Sequence, residues 1–110
     1  MDILCVCIGG ENRSPYLARY LRGCSPDYNA KSFAAMLNRN QERFDQQDLI
    51  IILGNEVKAL LDMREYNLEG KTIIELNVED ISEERDYDVM EEDIRTQIAP
   101  HLPLEDLMEE

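Results

Sequence analysis

Asp2-Ile3-Leu4-Cys5-Val6-Cys7-Ile8-Gly9-Gly10 is the stretch from which the fold is read. Its apolar run does not alternate with polar residues, the pattern of a strand buried on both faces, and the two glycines end it. A loop must follow. Ser14-Pro15 then supplies an N-cap ahead of the residue best suited to a first helical position, and Gly23 after Arg22 marks the far end. The pattern predicts a helix over 15–22 with Leu17 and Leu21 on one face.

The same alternation continues outward. A second strand is expected around Ala30 to Phe33, and residues 36–47, which are polar, read as loop with a short helix. Leu49-Ile50-Ile51-Ile52-Leu53 is the clearest strand, closed by Gly54. Asn55 is placed to cap a helix whose Val57, Leu60 and Leu61 share a face, and Gly70 ends that unit. Thr72-Ile73-Ile74-Glu75-Leu76 reads as a fourth strand. An acidic connection leads to Asp88, expected to cap a last helix in which Met90, Ile94 and Ile98 recur every fourth residue until Pro100 and Pro103 stop it. Strands alternating with helices at this spacing predict an α/β fold: a four-stranded parallel sheet with helices on both faces and right-handed crossovers. Residues 1–110 read as a single domain. Ligands of such sheets bind at the carboxyl ends of the strands, so the loop after the first strand is where function is sought.

Composition narrows the function classes. With 24 acidic and 11 basic side chains among 110 residues, the formal net charge is −13. A broad electrostatic grip on nucleic acid or an anionic membrane is therefore not expected. The 44% hydrophobic content excludes wholesale disorder, and no apolar run reaches membrane-span length. Without the features of a signal peptide at the N-terminus, a cytoplasmic location is expected. Three cysteines, two of them too close along one strand to bridge, are expected to be reduced thiols. Cys5 and Cys7 without further cysteine or histidine make no metal site. Residues 1–45 carry six basic and five acidic side chains, whereas residues 46–110 carry five and nineteen. An anion-binding function belongs in the first part.

That part contains Cys7-Ile8-Gly9-Gly10-Glu11-Asn12-Arg13-Ser14, a cysteine ending a strand, five residues, an arginine, and a serine opening a helix. Backbone N–H groups of a short glycine-containing loop converge on one anion, and a helix N-terminus adds donors and partial positive charge. The same field favours the thiolate of Cys7, the nucleophilic form. Arg13 can hold two phosphoryl oxygens bidentately. Ser14 can donate its hydroxyl to the sulfur. Of the three cysteines only Cys7 has arginine six positions on, since Glu11 follows Cys5 and Ala30 follows Cys24 at that spacing. The spacing with a following serine or threonine arises by accident in roughly one such chain in fifty.

Ile3 to Cys7, the loop, and Arg13-Ser14-Pro15 resemble the N-terminus of the low-molecular-weight protein tyrosine phosphatases and their shorter relatives. The likeness is detailed over the first 23 residues and fainter beyond. It implies metal-free hydrolysis of a phosphomonoester, on a phosphorylated protein or a small molecule, with no cofactor. It further implies Cys7 as nucleophile, Arg13 as phosphate clamp, Ser14 as partner of the thiolate, and Ile8, Gly9, Gly10, Glu11 and Asn12 as the remaining substrate-binding loop. The family also uses an aspartate before the last helix as general acid. The matching loop, Val78-Glu79-Asp80-Ile81-Ser82-Glu83-Glu84-Arg85-Asp86-Tyr87-Asp88, offers several carboxylates. Asp80 is the first choice and Asp86 the second. Where larger members follow the acid with proline and tyrosine, this chain has Ile81 and Ser82, leaving Tyr87 to supply a ring. Met36, Leu37 and Phe44 either border the site or pack in the core. A reading from another class keeps the loop but not the turnover: a catalytically inactive phosphate-binding or regulatory module. Cys24 is weighed as a disulfide partner of Cys7, and His101 as a surface or packing residue.

Overall fold

The computed structural model describes residues 1–81 and 84–108. Strand β1 (Asp2–Cys7) pairs in parallel with β2 (Asn29–Ala34), from Asp2 opposite Asn29 to Cys7 opposite Ala34. On its other side β1 pairs in parallel with β3 (Leu49–Leu53), which in turn pairs in parallel with β4 (Thr72–Leu76). The order across the sheet is β2-β1-β3-β4. The chain leaves β1 toward one edge and returns on the opposite side as β3. That reversal is a topological switch point, the place beside which open parallel sheets bind ligands at the carboxyl ends of their strands.

Alternation explains why the strand sequences are apolar throughout. Ile3, Cys5 and Cys7 of β1 face one layer, packed with Leu17 and Leu21 of helix α1 (Arg13–Cys24) and Met90, Ile94 and Ile98 of helix α4 (Tyr87–Ile98). Leu4 and Val6 face the other, with Phe44 of the short α2 (Gln41–Asp45) and Val57 and Leu61 of α3 (Asn55–Met63). Period-two alternation sends each residue to a different core, and both cores need apolar side chains. All five residues of β3 are fully buried; each such leucine or isoleucine contributes about 1.5–3 kcal/mol of transfer free energy. The helices thus lie on both faces of an all-parallel sheet, as the sequence predicts. No helix among the described residues is long and apolar enough to cross a membrane.

The helix ends depart from their sequence signals. Helix α1 starts at Arg13, two residues before the expected start, with Asn12 at the N-cap position. Ser14 does not cap it, because its hydroxyl turns toward Cys7 and Ser32. Gly23 does not end it either; the helix runs to Cys24 and closes with the N–H of Ser25 donating to the Leu21 carbonyl. Gly54, not Asn55, precedes α3, and Asp86, not Asp88, precedes α4. Each shift is one or two residues, the usual uncertainty of a cap read from sequence. Ser82 and Glu83 of the acidic connection lie outside the described residues.

Candidate active site

The loop from Ile8 to Asn12 leaves the end of β1 and is tied to the chain after β2. The Ala35 N–H donates to the Cys7 carbonyl at 2.8 Å and the Met36 N–H to the Ile8 carbonyl at 3.0 Å. Gly10 lies in the left-handed region, with φ of 68°, and a Cβ there would sit 2.7 Å from Cβ of Ala34. Only glycine meets both demands without displacing β2. In this position its N–H donates to Cys7 Sγ at 3.2 Å. Ser14 Oγ lies 3.0 Å from the same sulfur and 2.6 Å from Ser32 Oγ. With Ser32 donating to Ser14 and Ser14 to the sulfur, the Gly10 N–H and the Ser14 hydroxyl converge on Cys7 Sγ.

Cys5, two residues back on the same face of β1, is the contrasting case. It is wholly enclosed, and burial pushes its thiol well above the ordinary value, with Arg22 opposing this and Cys7 adding to it. Cys5 is a neutral core residue. Cys24 is an exposed free thiol at the far end of α1, and Cys7 is also free. Eleven rises of 1.5 Å put α1's ends roughly 16 Å apart, too far for a Cys7–Cys24 bridge.

Arg13 is only 1% exposed, so its guanidinium is held inside the protein at the sheet's carboxyl end. Nη1 donates to the backbone carbonyls of Leu53 at 2.7 Å and Val78 at 2.8 Å, and also meets Glu56 Oε1. The other edge of the group is different. Among the described residues, Nε is buried without a hydrogen-bond partner. Nε–H and the neighbouring Nη2–H point the same way and form the fork that grips two oxygens of one phosphate or carboxylate. Asp80 Oδ1 stands 3.9 Å from Nε, an ion pair without hydrogen-bond contact.

Asp80 is 49% exposed and linked to the loop, since Asn12 Nδ2 donates to its Oδ1 at 3.3 Å. The Ile81 N–H donates to the same oxygen at 2.9 Å. Asn12 is thereby used on Asp80, and its side chain does not cap α1. Helix N–H groups left without a side-chain cap are the donors an anion takes up. Asp86 is half-buried at the start of α4 and lines, with Asn77, Glu79, Asp80, Met90 and Asp93, a cavity of about 390 Å³ beside the loop. Glu11 is exposed.

The remaining sequence candidates divide. Phe44 is fully buried in the α2–α3 core, whereas Met36 and Leu37 are exposed just beyond the hydrogen bond to Ile8. Tyr87 packs against the α1–α4 core, and His101 is half-buried in a 3₁₀ turn after α4. Three residues were missed by sequence reasoning: Ser32, Glu56 and Gly54. Ser32 was signalled weakly, by its place two residues after the inward-facing Ala30, on the face that carries Cys7. Glu56 and Gly54 had no signal, because only the reversal between β1 and β3 brings them to Arg13.

No family model matches the sequence, and no curated protein matches it. Among solved structures, that of the YwlE arginine phosphatase from Geobacillus stearothermophilus matches with a TM-score of 0.78. The match covers 99% of this chain and 97% of that one at 17% sequence identity. Identity that low with coverage that complete is a likeness of fold. The element order, the all-parallel sheet and the cysteine loop at its carboxyl end together give this chain the low-molecular-weight phosphatase fold.

Proposed function

We propose that the protein hydrolyses phosphomonoesters through a phosphocysteine intermediate. Cys7 Sγ attacks phosphorus, forming the S–P bond as the P–O bond to the leaving group breaks. Asp80 protonates the departing oxygen. Water then attacks the phosphocysteine, giving its proton to the Asp80 carboxylate, and the S–P bond breaks to return the thiolate and inorganic phosphate. Ser14, backed by Ser32, donates to the sulfur as it leaves. Arg13 holds two equatorial oxygens through Nε and Nη2, with the loop N–H groups and the start of α1 taking the third.

The observation that carries this reading is the buried, unpartnered Nε of Arg13 behind the cysteine loop. An unmade hydrogen bond of this kind costs about 1–3 kcal/mol, and a phosphoryl oxygen would make it. Asp80 is preferred to Asp86 as acid because it is linked to Asn12 of the loop. The protein should release phosphate from para-nitrophenyl phosphate, and Cys7→Ser should abolish the release. Equal rates in the two proteins would refute the proposal. Binding of inorganic phosphate or vanadate without turnover would favour the inactive phosphate-binding module instead.

A second substrate reading is favoured by the cavity beside Asp80, which Glu79, Asp86 and Asp93 also line. Its carboxylates suit a positive group next to the phosphoryl, as in the phosphoarginine implied by the arginine phosphatase that shares this fold. The P–N bond would then break, with Asp80 protonating the guanidine nitrogen. Comparing kcat/KM on phosphoarginine and phosphotyrosine peptides of equal length separates the two, and a preference for phosphotyrosine would dismiss the second reading.

A further inference from the structure

Glu56 lies outside the cysteine loop, on the first turn of α3, with its side chain 56% exposed. Its Oε1 nevertheless reaches the buried Nη1 of Arg13. Gly54 makes that approach possible. It has φ of 123°, and a Cβ on it would fall 2.7 Å from Arg13 Nη1 and 2.6 Å from Glu56 Oε1, so the ion pair occupies the space a side chain would need. The Gly54 N–H donates to the Leu76 carbonyl at 2.8 Å, which anchors the turn between β3 and α3 to the end of β4. Gly54-Asn55-Glu56 is thus shaped around one guanidinium.

Two carboxylates flank that guanidinium on opposite edges. Glu56 meets Nη1, while Asp80 stands 3.9 Å from Nε. A guanidinium gains most from a bidentate carboxylate, and the fork formed by Nε and Nη2 is the edge that provides one. Without an anion on Nη1, the Leu53 and Val78 carbonyls alone would hold the group against rotation onto Asp80. These neutral acceptors form weaker bonds than a carboxylate does.

We infer that Glu56 is a positioning residue, which holds Arg13 by Nη1 and keeps its Nε–Nη2 edge off Asp80 and open to an oxyanion. The inference rests on the reading of Arg13 as phosphate clamp and goes beyond it by naming what aims the clamp. It also makes a prediction opposite in sign to simple electrostatics. Removing a negative charge near a phosphate site should tighten phosphate binding if position is unaffected. Removing a positioning contact should weaken it.

The test measures the dissociation constant of inorganic phosphate by calorimetry, and KM and kcat on para-nitrophenyl phosphate, for the wild type, Glu56→Ala and Glu56→Gln. Glu56→Ala should weaken phosphate binding about tenfold and lower kcat, the equivalent of one charge-assisted hydrogen bond lost. Glu56→Gln keeps an acceptor for Nη1 and should remain within about threefold of the wild type. Thermal midpoints accompany the set, because a merely structural Glu56 would lower the midpoint and leave phosphate affinity where it was. Phosphate binding that is unchanged or tighter in Glu56→Ala overturns the positioning role while leaving the clamp reading intact. A wild-type protein that binds no phosphate removes the clamp reading and this inference together.

Discussion

The two ends of the same parallel sheet are built to different rules. At the amino end, polar groups pair with one another at the surface. The terminal amine of Met1 donates to the Asp27 carbonyl, the Asp2 N–H donates to Asp48 Oδ2, and Asn29 Nδ2 donates to Asp2 Oδ1, all at 2.7–2.9 Å. At the carboxyl end, a guanidinium is buried with one edge anchored and its Nε unmet, and a sulfur lies within reach of an amide and a hydroxyl. The amino end also buries an unmatched atom, Gln47 Oε1, but that is a neutral amide oxygen, whereas an unmet guanidinium donor near a thiol is chemistry suited to an anion. The proposed function rests binding at the carboxyl end on this difference, and the difference can be broken by experiment.

The largest effect belongs to Arg13. Arg13→Ala should cut turnover of a phosphomonoester by about 10³-fold or more, because an arginine that stabilises a transferring phosphoryl group is worth that much. Arg13→Lys should recover little, since an ammonium cannot reproduce both the Nη1 anchor and the fork. An Arg13→Ala variant within tenfold of the wild type would mean that the unpartnered edge marks no ligand. Next comes Asp80→Asn, expected to lower kcat about 10²–10⁴-fold on phenyl phosphate, whose leaving oxygen needs a proton. Asp86→Asn should stay near the wild type. The reverse outcome would transfer the acid's role to Asp86, which lines the same cavity.

Most of the frame was legible because it is written in local patterns. Leu49–Leu53 and Thr72–Leu76 are strands with the boundaries their sequences predict. The spacing of Cys7 and Arg13 located the loop because strand, loop and helix N-terminus adjoin along the chain. What could not be read was the second half of the site. Leu53, Glu56 and Val78 reach Arg13 from 40, 43 and 65 residues away, a proximity created by strand order and not by spacing. The cap of α1 was misassigned for a related reason. A serine before proline signals an N-cap, yet Ser14 Oγ meets Cys7 and Ser32, polar partners on neighbouring strands that a local reading does not see.

Cys5 offers a way to sharpen the comparison within one strand. Burial raises its thiol above the ordinary value of 9.0, so the folded protein keeps a proton that the unfolded chain releases as pH rises past that value. The stability tied to this proton is complete below pH 9 and is lost at higher pH, with a slope of at most about 1.4 kcal/mol per pH unit for one group. Tyr20 and Tyr28, both raised chiefly by desolvation, act in the same direction from about pH 10. Cys5→Ala should flatten the alkaline fall in denaturant midpoint by one proton's worth. A fall equally steep in the variant would show that Cys5 ionises freely in the folded protein. With iodoacetamide at neutral pH, Cys7 and the exposed Cys24 should react, while Cys5 should react only after unfolding.

The smallest effect is expected at the amino end, and there its smallness is the point. Asn29→Ala removes the side-chain bond to Asp2 in an exposed setting, where such a bond contributes about 0.5–1 kcal/mol. The backbone bond from the Asn29 N–H to the Met1 carbonyl survives the change, so the register of β2 against β1 is kept. Denaturant unfolding should therefore show a slightly lower midpoint at unchanged slope, and kcat and KM should equal those of the wild type. Ser32, three residues further along β2, reaches Cys7 through Ser14. A change in kcat in Asn29→Ala would mean that strain at the frame travels along β2 to the sulfur, and that the two ends of the sheet are not independent.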